Sequence, residues 1–165
     1  MKKVAFILCL AAAVVFATAA NFDHPWNLLA GKSITGGSGY QNGCAVVSYD
    51  PSYAIIQCIQ VNGVTQTGSV YIFIPTSGAS FEVQIGSFTY RENNIPANVW
   101  TKINFNLNGS PPTNGNITLK FSGLTTSSSV KIDEFHCGTF YESFNNLSNS
   151  GVASSSAGRV KALFR

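Results

Sequence analysis

The sequence predicts an all-β fold: a β-sandwich or jelly roll of two antiparallel sheets, preceded by a signal-peptide helix. Three observations predict it. Charged residues make up only 10% of the chain, against roughly 25% in an ordinary globular protein, so Ser, Thr, Asn and Gln must hydrate the surface. Those short polar side chains compete for backbone hydrogen bonds and disfavour helix interiors. Several runs alternate apolar and polar residues with period two, and Gly/Pro/Asn/Ser clusters punctuate them at 75–78, 92–96, 108–115 and 125–129. Seven or eight short strands joined by such turns must bury their apolar faces against one another, as two packed sheets do.

The elements follow in chain order. Met1–Ala20 reads as a secretory leader: Lys2 and Lys3, an apolar run from Val4 to Phe16, then Ala17-Thr18-Ala19 before the cleavage point. Removing it leaves about 145 residues, enough for one domain with a real core. It also removes two of ten basic residues, leaving eight against seven acidic ones. Such a balance excludes a basic nucleic-acid binder, which needs a concentrated positive face. No later apolar stretch approaches the ~20 residues that cross a bilayer. The expectation is a secreted, extracellular protein that engages neither nucleic acid nor, after cleavage, membrane. Residues 21–144 form the β-jelly-roll domain. Residues 145–165 form a flexible Ser/Asn-rich tail with few groups to offset ordering entropy.

Gly43–Ser48 and Ala54–Val61 both read as strands, with Asp50-Pro51-Ser52 as turn chemistry between them. A hairpin centred on Pro51 places Cys44 opposite Cys58, close enough for a disulfide. The rival pairing is Cys137 with either of these. Three cysteines survive cleavage, so one thiol is left over and could join two chains in an oxidising compartment. Next, Val70, Ile72 and Ile74 point one way and Tyr71 and Phe73 the other, which reads as a central strand covered on both sides. Phe81, Val83 and Ile85 face inward with Glu82 and Gln84 opposite. Ile103, Phe105 and Leu107 alternate with polar neighbours, as do Ile117, Leu119 and Phe121. In Val130–Phe135, strict alternation cannot bury both Ile132 and Phe135; a bulge at Asp133-Glu134 can.

The order of these features resembles the β-jelly-roll carbohydrate-binding modules, galactose-binding-like sandwiches of secreted glycan-active proteins. The resemblance runs from Trp26 to Cys137 and is carried by PWNLLAGKSITGGSG, AIIQCIQV, GSVYIFI, VWTKINFNL and SVKIDEF. It implies non-catalytic binding of a polysaccharide or glycan. It also implies an optional structural calcium ion at Asp133, with Asp23 or a carbonyl near Trp26 as company; no cofactor is required, and the alternative is that Asp133 and Glu134 are solvated or paired with Lys131.

Sugar recognition needs flat aromatic faces for the C–H side of the ring and fixed polar groups for the hydroxyls. Trp26, Tyr40 and Tyr53 lie in the turn-rich first third, where an exposed ring is plausible; ligand contact and packing both remain open for Trp26 and Tyr40. Gln57, Glu82 and Gln84 are polar positions within apolar strands, and Arg91 ends a strand. For Gln57 and Gln84, sheet hydrogen bonding is the competing reading. Trp100 reads as core or edge packing, and Tyr71 and Phe73 as a second buried layer. An enzyme is not expected: a glycosidase normally needs two flanking carboxylates, and Glu82 alone sits mid-strand on an open face. The other class left standing is an extracellular matrix protein, or a secreted effector that binds a protein partner.

Overall fold

The computed structural model describes residues 19–49, 52–125 and 129–145. Every regular element among them is a strand. In chain order these are β1 (Ala19–Asn21), β2 (Pro25–Ala30), β3 (Ser33–Ser38), β4 (Gly43–Ser48), β5 (Tyr53–Asn62), β6 (Thr67–Phe73), β7 (Ser80–Ile85), β8 (Phe88–Glu92), β9 (Trp100–Asn106), β10 (Asn114–Ser122), β11 (Ser129–Cys137) and β12 (Phe140–Glu142). One sheet runs β1-β2-β5-β10-β7-β8; the other runs β3-β4-β11-β6-β9, with β12 paired to β11. All strand pairs are antiparallel.

The period-two patterns place the core where the sequence predicts. Val70, Ile72, Phe81, Val83, Ile85, Ile103, Phe105, Ile117, Leu119 and Phe121 are all buried between the sheets. Each such side chain contributes roughly 1.5–3 kcal/mol relative to exposure. The bulge in β11 is present: pairing with β6 shifts between Asp133 and His136, and Glu134 takes a left-handed φ of 47°. The extra residue turns Phe135 inward, where its ring packs on Phe105 at 5.6 Å and edge-on to Trp26 at 6.4 Å. Gly68 sits across from this region; a Cβ there would overlap the Phe105 ring and the His136 carbonyl.

The hairpin expected between β4 and β5 does not form. β4 pairs with β3 and β11, while β5 pairs with β2 and β10 in the other sheet. Tyr49 is buried at this crossing, so an apolar corner connects two layers where turn residues suggested a tight reversal. The correction extends to the disulfide. Cys44 and Cys58 lie in opposite sheets, and Cys44, Cys58 and Cys137 are all free and buried. Cys44 and Cys137 donate to the carbonyls of Ser38 (3.3 Å) and Thr65 (3.2 Å). None of the three is presented at the surface to link chains.

Burial pushes the Cys44 thiol up to about 11 and the Cys58 thiol to about 12, and raises Cys137 as well. Thiolate is the reactive form, so these three should resist a thiol-specific reagent in the folded protein and react fully in denaturant. Rapid labelling of Cys44 or Cys58 under native conditions would contradict this packing.

The leader lies outside the described residues except for Ala19 and Ala20, which pair with Asn27 and Trp26. The tail lies outside them except for Asn145, whose Oδ1 accepts from the Gly43 amide at 2.7 Å.

Candidate functional site

Five of the seven residues expected as ligand contacts share one surface, the outer face of the β1-β2-β5-β10-β7-β8 sheet. Their inward neighbours are core residues, so alternation leaves them outside. Strand register arranges them in rows. Asn27, Gln57, Thr118, Gln84 and Thr89 stand side by side across five strands. The adjacent row is Ile55, Lys120, Glu82 and Arg91, and the next is Tyr53, Ser122 and Ser80.

Internal hydrogen bonds hold these rows in place. Gln57 Nε2 donates to Thr118 Oγ1 at 2.9 Å, and Gln84 Nε2 donates to the Gly86 carbonyl at 2.9 Å. Lys120 Nζ meets Glu82 Oε1 at 2.7 Å. Arg91 reaches Ser80 Oγ (3.0 Å) and Asn93 Oδ1 (3.1 Å), and the hydroxyls of Ser80 and Ser122 are 2.8 Å apart. Each bond fixes a rotamer and still leaves capacity for a partner: the second oxygen of Glu82, the Gln amide oxygens and the rest of the guanidinium. Tyr53, at 45% exposure, supplies a ring at one end of the face.

The other two residues go elsewhere. Trp26 is fully buried, so its ligand role is corrected to packing. Its ring contacts Phe135 and Phe144, and its Nε1 donates to Glu142 Oε2 at 3.1 Å. Being a large ring on a sheet's inner face decides its place. Tyr40 is 46% exposed but lies on the outside of the other sheet, the one that holds β6 and β9. There it stacks on Tyr71, with centroids 4.1 Å apart and 15° between planes. Trp26, Tyr40 and Tyr53 therefore do not surround one groove.

Sequence reading missed two features. The first is the aromatic platform around Tyr40. Tyr71 and Phe73, expected as a second buried layer, are instead only half-buried, with Trp100, on the outer face of β6 and β9, because a two-layer sandwich has no third layer to cover them. Their period-two placement was visible; the lysines that pair beside them, Lys102 opposite Tyr71 and Lys131 opposite Phe73, required the register.

The second is Glu142, a carboxylate with 0% exposure. Oε1 accepts from the amides of Asp23 (3.0 Å) and Phe144 (3.0 Å); Oε2 accepts from the His24 amide (2.9 Å) and from Trp26 Nε1. His24 Nδ1 is 3.3 Å from Oε2. Asp23 returns the contact, its Oδ2 accepting from the Ser143 amide and hydroxyl. This clasp joins the start of the sandwich to its end.

Asp133 is also fully buried. Its Oδ2 accepts from the Tyr40 amide at 2.8 Å and the Gln41 amide at 3.4 Å, and its Oδ1 has no hydrogen-bond partner among the described residues. The surroundings do not fit the calcium ion that the resemblance implied. Calcium takes six to eight oxygens, carboxylates prominent among them, whereas the partners here are N–H donors. Asp23 faces Ser143 instead, and no cluster of three metal-ligating side chains occurs among the described residues.

Burial pushes both buried carboxyls, Asp133 and Glu142, above their ordinary values, against amide hydrogen bonds that pull them down. A raised value means that the folded state holds the proton more tightly than the unfolded chain. The associated stability is complete below the ordinary carboxyl range and falls as pH rises through the raised values. The melting temperature should therefore increase as pH is lowered from neutral toward the ordinary carboxyl range. Asp133→Asn should flatten that profile and raise stability at neutral pH by about 1 kcal/mol, since it keeps an acceptor for Tyr40 and discharges an unpartnered oxygen. Thermal unfolding of both proteins across this range checks it; a wild-type profile that falls on acidification would refute it.

No protein-family model matches the sequence, and no curated protein matches it. Solved structures of similar form include the family 11 carbohydrate-binding module of a cellulosomal cellulase from Clostridium thermocellum (16% identity, TM-score 0.47, 67% of this chain and 85% of that one). Another is a CBM61 in complex with β-1,4-galactotriose (10% identity, TM-score 0.48, 68% of this chain and 86% of that one). A third is an arabinose-bound GH51 α-L-arabinofuranosidase (16% identity, TM-score 0.47, 72% of this chain); the present chain spans 23% of its length.

Proposed function

We propose that the protein is an exported, non-catalytic glycan-binding module whose ligand lies across the outer face of the β1-β2-β5-β10-β7-β8 sheet. The observation that carries this reading is the pair of polar rows, Gln57–Thr118–Gln84 and Lys120–Glu82–Arg91, fixed by their own hydrogen bonds beside the exposed ring of Tyr53. Side chains already held in one rotamer lose little entropy when a hydroxyl-rich chain docks. The leader pattern in the sequence supports export. Among the described residues Glu82 is the one carboxylate in these rows, and it is paired to Lys120, which supports binding without hydrolysis.

The test is affinity electrophoresis against a panel of neutral polysaccharides. Wild-type protein should be retarded by at least one of them. The double variant Gln57→Ala/Gln84→Ala should lose roughly 5- to 100-fold in affinity, the equivalent of two hydrogen bonds of about 0.5–1.5 kcal/mol each. No retardation at millimolar sugar, together with self-association, would replace this reading with that of a matrix protein. Hydrolysis that disappears in Glu82→Gln would replace it with that of an enzyme.

A further inference from the structure

We propose a second glycan-binding site, on the outer face of the sheet that holds β6 and β9, selective for sugars that carry a carboxylate. Four rings from three separate elements meet there. Tyr40 comes from the β3–β4 turn, Tyr71 and Phe73 from β6, and Trp100 from β9. Tyr40 stacks on Tyr71, Trp100 stands edge-on to Tyr40 at 6.1 Å and 64°, and Phe73 packs on Trp100 at 5.8 Å. The inward neighbours Val70 and Ile72 are wholly buried and already supply the core, so the fold does not need four further aromatics on the outside of these strands. Stacked rings with an exposed flank suit the C–H face of a pyranose.

Two ammonium groups frame this surface. Lys102 Nζ lies 5.5 Å from the Tyr71 centroid, and Lys131 Nζ lies 5.6 Å from that of Phe73. Lys131 also reaches the Ser38 carbonyl at 3.4 Å. Neither lysine has a carboxylate partner among the described residues. Beside Lys102 a shallow depression of about 240 Å³ is lined by Glu92, Asn93, Asn94, Thr101 and Asn104; the Glu92 oxygens already accept from the Tyr90 hydroxyl and the Asn93 amide, and the others offer donors and acceptors for ring hydroxyls. A neutral sugar on the rings would leave both cations unanswered. A uronate presents an apolar ring face and an anion in one residue, matching both halves of the surface. Glu134 is the opposing charge near Tyr40, so the ligand carboxylate belongs on the lysine side.

The site is independent of the polar face on the other sheet, and the experiment separates the two. Polygalacturonate and its fully methyl-esterified form share a backbone and differ in charge. Wild-type protein should bind polygalacturonate and bind the ester roughly tenfold more weakly. Raising salt from about 50 to 500 mM should erase most of that difference, because exposed charges are then screened. Lys102→Gln/Lys131→Gln should weaken polygalacturonate binding roughly tenfold, and Tyr40→Ala by at least as much. Gln57→Ala/Gln84→Ala should leave it unchanged. All three sets are surface substitutions, and matching circular-dichroism melts confirm that each variant is folded. Equal binding of acid and ester, or binding unaffected by the lysine pair, overturns the proposal. So does concentration-dependent dimerisation abolished by Tyr40→Ala, which would make the platform a contact between copies of this chain.

Discussion

Glu142→Ala should cost about 3–5 kcal/mol of folding stability and lower the melting temperature by about 10–20 °C. The alanine leaves three backbone amides and the Trp26 indole N–H aimed at a space with no acceptor. Stranding buried donors forfeits their full desolvation cost, about 1–3 kcal/mol each before relaxation. Glu142→Gln should recover only part of the loss. Its amide nitrogen must face donors, since N–H groups occupy both carboxylate oxygens. Urea titration monitored by the Trp26 environment measures the change, and a loss below about 1 kcal/mol would show that the clasp carries little of the fold's stability.

Phe135→Ala should be comparably damaging, at about 3–5 kcal/mol, the usual range for emptying a buried phenylalanine site. This ring touches Trp26 and Phe140 edge-on and lies against Phe105, so its loss opens a void shared by both sheets. The bulge that turns it inward makes a second test. Glu134 holds φ at 47°, a conformation that costs a non-glycine residue roughly 1 kcal/mol, and Glu134→Gly should recover about that much. Deleting Glu134 should instead prevent folding. A one-residue slip moves Phe135 and Cys137 to the opposite face of the sheet. Soluble, cooperatively melting protein lacking residue 134 would contradict the register.

The contrast between these residues explains what was legible in the sequence. Which residues face the core was readable, because alternation is a property of five or six neighbouring residues and the two-layer architecture follows from it. The bulge was readable for the same reason: Ile132 and Phe135 could not both be buried without it. Strand partners were not readable. The segment between β4 and β5 carries turn residues, yet the chain crosses between sheets there, and the Cys44–Cys58 pairing failed with the hairpin. That Gln57, Glu82, Gln84 and Arg91 face outward was readable because polar side chains among apolar strand residues are a local signal, although only the register shows that they stand in adjoining rows. Trp26 reads the same whether it is exposed or buried, and the acceptor that satisfies its buried indole N–H, Glu142, lies 116 positions away. Glu142 itself was invisible for the mirror-image reason: four of its five contacts come from residues at the far end of the chain.

The clasp also determines where a fused tether would pull on the domain. Asp23 and Ser143 are bonded to each other, so the polypeptide arrives and departs at nearly the same point on the sandwich. A tether fused before residue 22 and one fused after residue 145 would leash the domain from a single anchor. It could swing as one rigid paddle, and pulling on both tethers together would load the Asp23–Glu142 junction first and leave the two broad faces unstrained.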